Sequence, residues 1–132
     1  MHVEKWMKLI HVALACSSEE NADKFYKSLL ECQKSGPKVL PSSLSSEIFN
    51  IDSELTIFDY KNEYVHFEIF IYNRHRGNER RIDHVCLQVA DMGSFLERCK
   101  SLNVMVIQVP KGGSVITFAG DDDGNLFEIK QA

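Results

Sequence analysis

Four residues of this chain have side chains that could share a cation: two histidines, His11 and His84, and two glutamates, Glu68 and Glu128. Each lies in a short run of β type. His11 belongs to "KLIHVALA" and His84 to "RIDHVCLQV", and in both a small residue follows two positions later, Ala13 or Cys86. Glu68 belongs to "HFEIF" and Glu128 to "LFEIK", which share a Phe-Glu-Ile core. A carboxylate inside an apolar strand needs an explanation, because burying an unpaired charge is expensive. It must be exposed, paired, protonated or bound to a metal. Two imidazoles and two carboxylates suit a divalent metal ion such as zinc, nickel, manganese, iron or cobalt, with the glutamate charges balancing the ion's own.

Strand alternation tests whether these four can face one way. Ile10, Val12 and Leu14 share one face of the first run, which leaves His11 and Ala13 on the other. In the middle run Val85, Leu87 and Val89 oppose His84, Cys86 and Gln88. Val65, Phe67, Ile69 and Ile71 form an apolar face whose reverse carries His66, Glu68, Phe70 and Tyr72. Phe127 and Ile129 likewise oppose Leu126, Glu128 and Lys130. Each half of the chain thus presents one histidine and one glutamate on the face away from its helix. Two curved sheets packed as a pseudo-twofold pair would bring His11, Glu68, His84 and Glu128 together. His66 shares the face of Glu68 and is read as polar lining.

The elements that must position them repeat. After His11 a helix is expected to begin at Ser17, with Glu20 three residues on as a capping box and Ala22, Phe25, Tyr26, Leu29 and Leu30 at helical spacing. After His84 the helix starts with Asp91 as N-cap and carries Met92, Phe95, Leu96 and Cys99, stopping near Asn103. Strands follow at 38–40, 54–59 and 64–72 in the first half and at 104–109, 114–119 and 125–130 in the second. The prediction is an α+β fold: a single domain over 1–132 made of two βαβββ modules, about 7–73 and 80–131, with paired curved mixed sheets. "LPSSLSSEIFNID" lengthens the first module by a turn plus a short helical piece. "NRHRGNERR" is the linker.

Composition narrows the partners. The chain has 132 residues and a formal net charge of −4 with both signs interspersed, which argues against a nucleic-acid footprint and leaves a small-molecule substrate as the natural partner. No segment has the length of a membrane span, and the N-terminal run lacks the features of a secretory leader, so the expectation is a cytoplasmic protein with no membrane partner. Cys16, Cys32, Cys86 and Cys99 lie in apolar periodic segments without metal or redox spacing and are read as reduced core residues. Arg74, Arg76, Arg80 and Arg81 could grip an anionic substrate tail, but a solvated loop is the preferred reading. "DDDGN" is read as a turn, because the alternation of a calcium loop is missing. "KGGS" is a glycine link between strands. Trp6 and the residues before it could form an arm for dimer contact.

The order of "IHVALA" leading to "ADKFYKSLL", then "DHVCLQVAD", then "GGSVITFAGDDDGNLFEI" resembles the vicinal oxygen chelate superfamily, which includes glyoxalase I, methylmalonyl-CoA epimerase, extradiol dioxygenases and the fosfomycin- and bleomycin-resistance proteins. The likeness spans nearly the whole chain, and the family's metal positions fall on His11, Glu68, His84 and Glu128. It implies a metal-dependent lyase or isomerase of glyoxalase I-like type, commonly a homodimer, that transfers a proton next to a carbonyl of a small thiol-adduct or thioester substrate. In it the ion polarises the oxygen while Glu128 or Glu68 acts as the catalytic base. The same family offers two alternatives: a non-catalytic protein that sequesters a small molecule, and a ring-cleaving dioxygenase.

Overall fold

The computed structural model describes residues 7–74 and 81–132. The described chain forms two four-stranded sheets of equivalent topology. The first contains β1 (Val12–Cys16), β2 (Gln33–Leu40), β3 (Leu55–Lys61) and β4 (His66–Ile71) in the order β1-β4-β3-β2. The second contains β5 (His84–Val89), β6 (Met105–Lys111), β7 (Ser114–Gly120) and β8 (Leu126–Gln131) in the order β5-β8-β7-β6. In each the first strand pairs in parallel with the last and the other neighbours are antiparallel. A parallel pair needs a crossover, and the helix of each module supplies it. This is the expected α+β arrangement of two βαβββ modules.

The helices cover the apolar faces that alternation predicts. In the first module α1 (Glu19–Ala22) continues as a wider-turned π-helical segment (Asp23–Leu29), whose last bond runs from Leu30 N to Phe25 O. Ser18, not Ser17, is the N-cap, accepting from Asn21 N at 3.1 Å, while Ser17 Oγ accepts from the Asn21 side chain. The widened turns put Phe25, Tyr26 and Leu29 together in the core. Tyr26 lies 5.4 Å from Phe67 and 6.0 Å from Phe127, ring centre to ring centre. Phe67 and Phe127, equivalent residues of β4 and β8, meet edge-on at 5.7 Å. The modules therefore share one aromatic core, each such side chain contributing about 1.5–3 kcal/mol on full burial.

The second helix, α3 (Met92–Ser101), is regular, and Asp91 caps it by accepting from Ser94 N at 3.0 Å. Phe95 and Cys99 are its buried residues. The lengthening of the first module contains α2 (Ser42–Phe49), which ends at Asn50 in the left-handed conformation. β2 is longer than the predicted 38–40. Its first half, Gln33 to Ser35, is polar and is separated from Lys38 by Gly36 and Pro37, where the register shifts. Gly36 has a φ of 110° and a Cβ there would stand 3.1 Å from Ile57 O, so glycine is required. Cys16, Cys32 and Cys99 are buried free thiols, but Cys86 is exposed, because it shares the open face of His84 instead of the covered one. Trp6, Arg76 and Arg80 lie outside the described residues.

Candidate metal centre

Equivalent registers place the four ligand-type residues. Ala13 pairs with Glu68 across β1 and β4, and Cys86 pairs with Glu128 across β5 and β8. A histidine two residues before the small side chain therefore stands beside a glutamate in both modules. His11 Nε2 is 3.7 Å from Glu68 Oε1, and His84 Nε2 is 3.6 Å from Glu128 Oε1. These separations exceed a hydrogen bond. They match two donors that share an ion, since ligands about 2.1 Å from one cation stand roughly 3–3.7 Å apart.

The second pair has its imidazole fixed from behind. His84 Nδ1 lies 2.7 Å from the carbonyl of Ile82. A carbonyl can only accept, so Nδ1 carries the proton, and in the neutral ring Nε2 keeps its lone pair toward Glu128. Metal-binding histidines are oriented in the same way, by a hydrogen bond from the other ring nitrogen. Among the described residues the ammonium nearest Glu128, that of Lys130, stands at 4.0 Å, outside hydrogen-bond distance.

The first pair sits in a denser polar cluster. Lys38 donates to Glu68 Oε2 at 3.0 Å and approaches Asp59 Oδ2 at 3.3 Å, while His66 Nε2 is 2.7 Å from Asp59 Oδ1. The hydrogen bond to Glu68 raises the Lys38 ammonium above the usual lysine range. Burial pushes the Asp59 carboxyl up, but the bonds from His66 and Lys38 outweigh it and hold the group below the usual carboxylate range. His66 is thus engaged by Asp59 and fits the polar lining read from the sequence.

Within one chain the four residues form two pairs. Among the described residues no group of three His, Cys, Asp or Glu side chains is placed to hold a metal ion. The donor types and spacing fit a divalent cation in each half, yet either half alone falls short of the three or four protein ligands such sites use. His11, Ala13, His84 and Cys86 are all exposed, so the faces that carry the pairs are open.

A second polar centre has no precedent in the motifs. Asp121, in the turn read as "DDDGN", is 4% exposed. Its Oδ2 accepts from Tyr26 at 2.8 Å, from Asn125 Nδ2 at 2.8 Å and from the Cys16 thiol at 3.4 Å. Its Oδ1 accepts from the backbone of Asp123 and Asn125 at 3.0 and 2.9 Å. Asn125 also donates to Ala15 O at 2.9 Å. Burial, with the Asp121 charge beside them, pushes the Tyr26 hydroxyl and Cys16 thiol far up. Both therefore stay protonated and act as donors that bind the turn of one module to the helix and first strand of the other. The lone signal in the sequence was an Asp placed four residues before an Asn that follows glycine.

No family model and no curated protein matches the sequence. Solved structures do match in fold. The fosfomycin resistance protein FosX from Listeria monocytogenes aligns over 97% of this chain and 95% of its own with a TM-score of 0.72 and 15% identity. A variant of the same protein, in complex with Mn(II) and a dihydroxypropylphosphonic acid, aligns over 93% and 88% with a TM-score of 0.67 and 17% identity. A glyoxalase family protein from Enterococcus faecalis aligns over 94% and 97% with a TM-score of 0.69 and 17% identity. The chain has the paired βαβββ fold of these fosfomycin resistance and glyoxalase family structures. No helix among the described residues is long and apolar enough to cross a membrane.

Proposed function

We propose that this protein is a metal-dependent enzyme of glyoxalase type, and that two copies complete its site. His11 and Glu68 of one copy would join His84 and Glu128 of the other on one divalent ion. The observation that carries this is the identical register of two open imidazole–carboxylate pairs, each spaced for shared ligation and each incomplete by itself. The Mn(II) in the FosX structure supports a divalent ion in this fold. Bound there, the ion supplies Lewis-acid polarisation of a substrate carbonyl. The chain's own part is to hold the adjacent C–H beside a carboxylate that takes the proton and returns it. Glu128 suits that role, because among the described residues no ammonium lies within hydrogen-bond distance of it, whereas Glu68 Oε2 is engaged by Lys38.

Metal content of protein purified without chelators, measured with sedimentation velocity, tests this. Wild-type protein should sediment as a dimer with about one ion per chain, and His84→Ala and Glu128→Ala should lose the ion. Wild-type protein as metal-free as the variants would sink the proposal. A hemithioacetal isomerisation assay with several metals then tests the reaction class. Lys38 favours a second reading, since an ammonium already compensates Glu68. That reading is a binding protein which holds a small molecule without catalysis, and metal-free wild-type protein would support it.

A further inference from the structure

The two modules differ most where the first is longer. In the second module β6 turns straight into β7 through Gly112 and Gly113, whereas residues 41–54 separate β2 from β3. Those residues are folded onto the open face of the first sheet. Ser45 is fully buried, and its hydroxyl lies 2.8 Å from Ile51 O and 2.7 Å from Ser53 O, which fastens the end of α2 to the chain that follows it. Phe49 meets Phe70 edge-on at 5.5 Å. Phe49, Ile51, Leu55 and Phe70 thereby wall a cavity of about 140 Å³, with Arg74 and Arg81 also lining it.

The cationic end is set by the inter-module network. Arg81 Nη1 donates to Asn125 Oδ1 at 3.0 Å, and Asn125 is itself held by Asp121. The other terminal nitrogen donates to the exposed Asp83 at 3.2 Å. Among the described residues the carboxylate paired with this end is Asp83, on Arg81. Glu68, Phe70 and Tyr72 follow one another on the same face by strand alternation, Tyr72 N continuing the pairing to Cys16 O at 2.8 Å, and Arg74 comes next. The face therefore runs from a metal-type pair, across an apolar stretch, to a guanidinium.

We propose that this cavity is an anion subsite for a small organic carboxylate, whose head meets Arg74 and Arg81 and whose apolar body lies against Phe49, Ile51 and Phe70. The planar guanidinium fork matches a carboxylate, and the apolar wall matches a hydrocarbon body. The assignment rests on the preceding proposal only in directing the far end of the ligand toward His11 and Glu68; binding at the subsite needs no ion. It thus names the substrate class as carboxylates with an apolar middle and a reactive group remote from the acid.

Calorimetric titration of EDTA-treated protein with hexanoate, hexanamide and propylphosphonate tests it. Hexanoate should bind, with hexanamide at least about tenfold weaker. Arg74→Ala should weaken hexanoate by at least about tenfold, and Phe49→Ala should weaken both six-carbon ligands together. Both positions are exposed, so the variants should fold, which circular dichroism checks. Equal affinity for acid and amide, no effect of Arg74→Ala, or tighter binding of propylphosphonate would each overturn the assignment. Because the protein is titrated free of metal, hexanoate binding reads the subsite alone. Failure of the metal site would therefore appear in metal content and leave this titration unchanged.

Discussion

The two modules reach one topology and register by different local means. In the second, the pair His84 and Glu128 is spare: a carbonyl fixes the imidazole, and the nearest ammonium among the described residues stands 4.0 Å from the carboxylate. In the first, His11 and Glu68 have the same spacing but share their surroundings with Lys38, Asp59 and His66. The turns before the last strands differ as well. Asn62 follows β3 and accepts from Tyr64 N and Val65 N at 2.8 and 3.0 Å in an exposed turn. Asp121 follows β7 and makes the same kind of local bonds, but it is buried and also receives Tyr26, Cys16 and the Asn125 side chain. Repetition fixes where the ligand-type residues stand, and the departures from it show what each half does besides.

The turns offer the largest expected effect. Asp121→Ala takes the acceptor from a buried hydroxyl, one N–H of the Asn125 amide and two backbone N–H groups, which should cost on the order of 3–5 kcal/mol. Asn62→Ala removes exposed bonds that water can replace and should cost about 1 kcal/mol. Urea unfolding of both variants measures the contrast. Equal losses would show that Asp121 is only a turn residue.

Much of this contrast was hidden in the sequence for physical reasons. Period-two alternation is a local property, so His11 and Glu68 could be assigned to one face, and the repeated Phe-Glu-Ile core disclosed the equivalent Glu128. Alternation says nothing about how two sheets sit relative to each other. The pairs were therefore legible, but their separation within one chain was not. Lys38 was visible as a strand residue, yet its reach to Glu68 depends on the β2–β3 register, which shifts between Ser35 and Lys38. Asp121 reads as a turn because its local bonds are those of a turn; its burial comes from Tyr26, 95 positions away. The widened turns after Ala22 left no mark either, since the spacing of Phe25, Tyr26 and Leu29 suits an ordinary helix equally well.

A smaller effect separates the two ligand pairs. If Lys38 competes with an ion for Glu68, Lys38→Gln should tighten metal binding by about tenfold, or about 1.4 kcal/mol, by removing a like charge from the site. The mirror change, Lys130→Gln, should alter it little, because Lys130 is 65% exposed and stands 4.0 Å from Glu128. Competition against a chromogenic chelator gives both affinities. Weaker binding in Lys38→Gln would mean that the lysine orients Glu68 for the ion instead of opposing it.

The smallest effect concerns how each helix is tied down. In the second module Gln131 holds the start of α3 by neutral bonds to Met92 N and Ala90 O. In the first, Asp23 accepts from Tyr60 at 2.7 Å and stands 2.9 Å from Lys34, which also pairs with Glu19. Burial raises the Asp23 carboxyl, but the bonds from Tyr60 and Lys34 outweigh it and the net direction is down. A carboxyl lowered in the folded state contributes stability that is complete above its unfolded value, near pH 4, and is lost as the pH falls through the folded value. Asp23→Asn should therefore flatten the acid limb of stability below about pH 4, and Gln131→Ala should leave its shape unchanged. Asp23 is a third exposed, so solvent screens the interaction and the difference should stay below about 1 kcal/mol. Thermal midpoints measured from pH 7 to pH 3 resolve it, and parallel acid limbs in wild type and Asp23→Asn would show that the Asp23 charge adds nothing to holding the first helix.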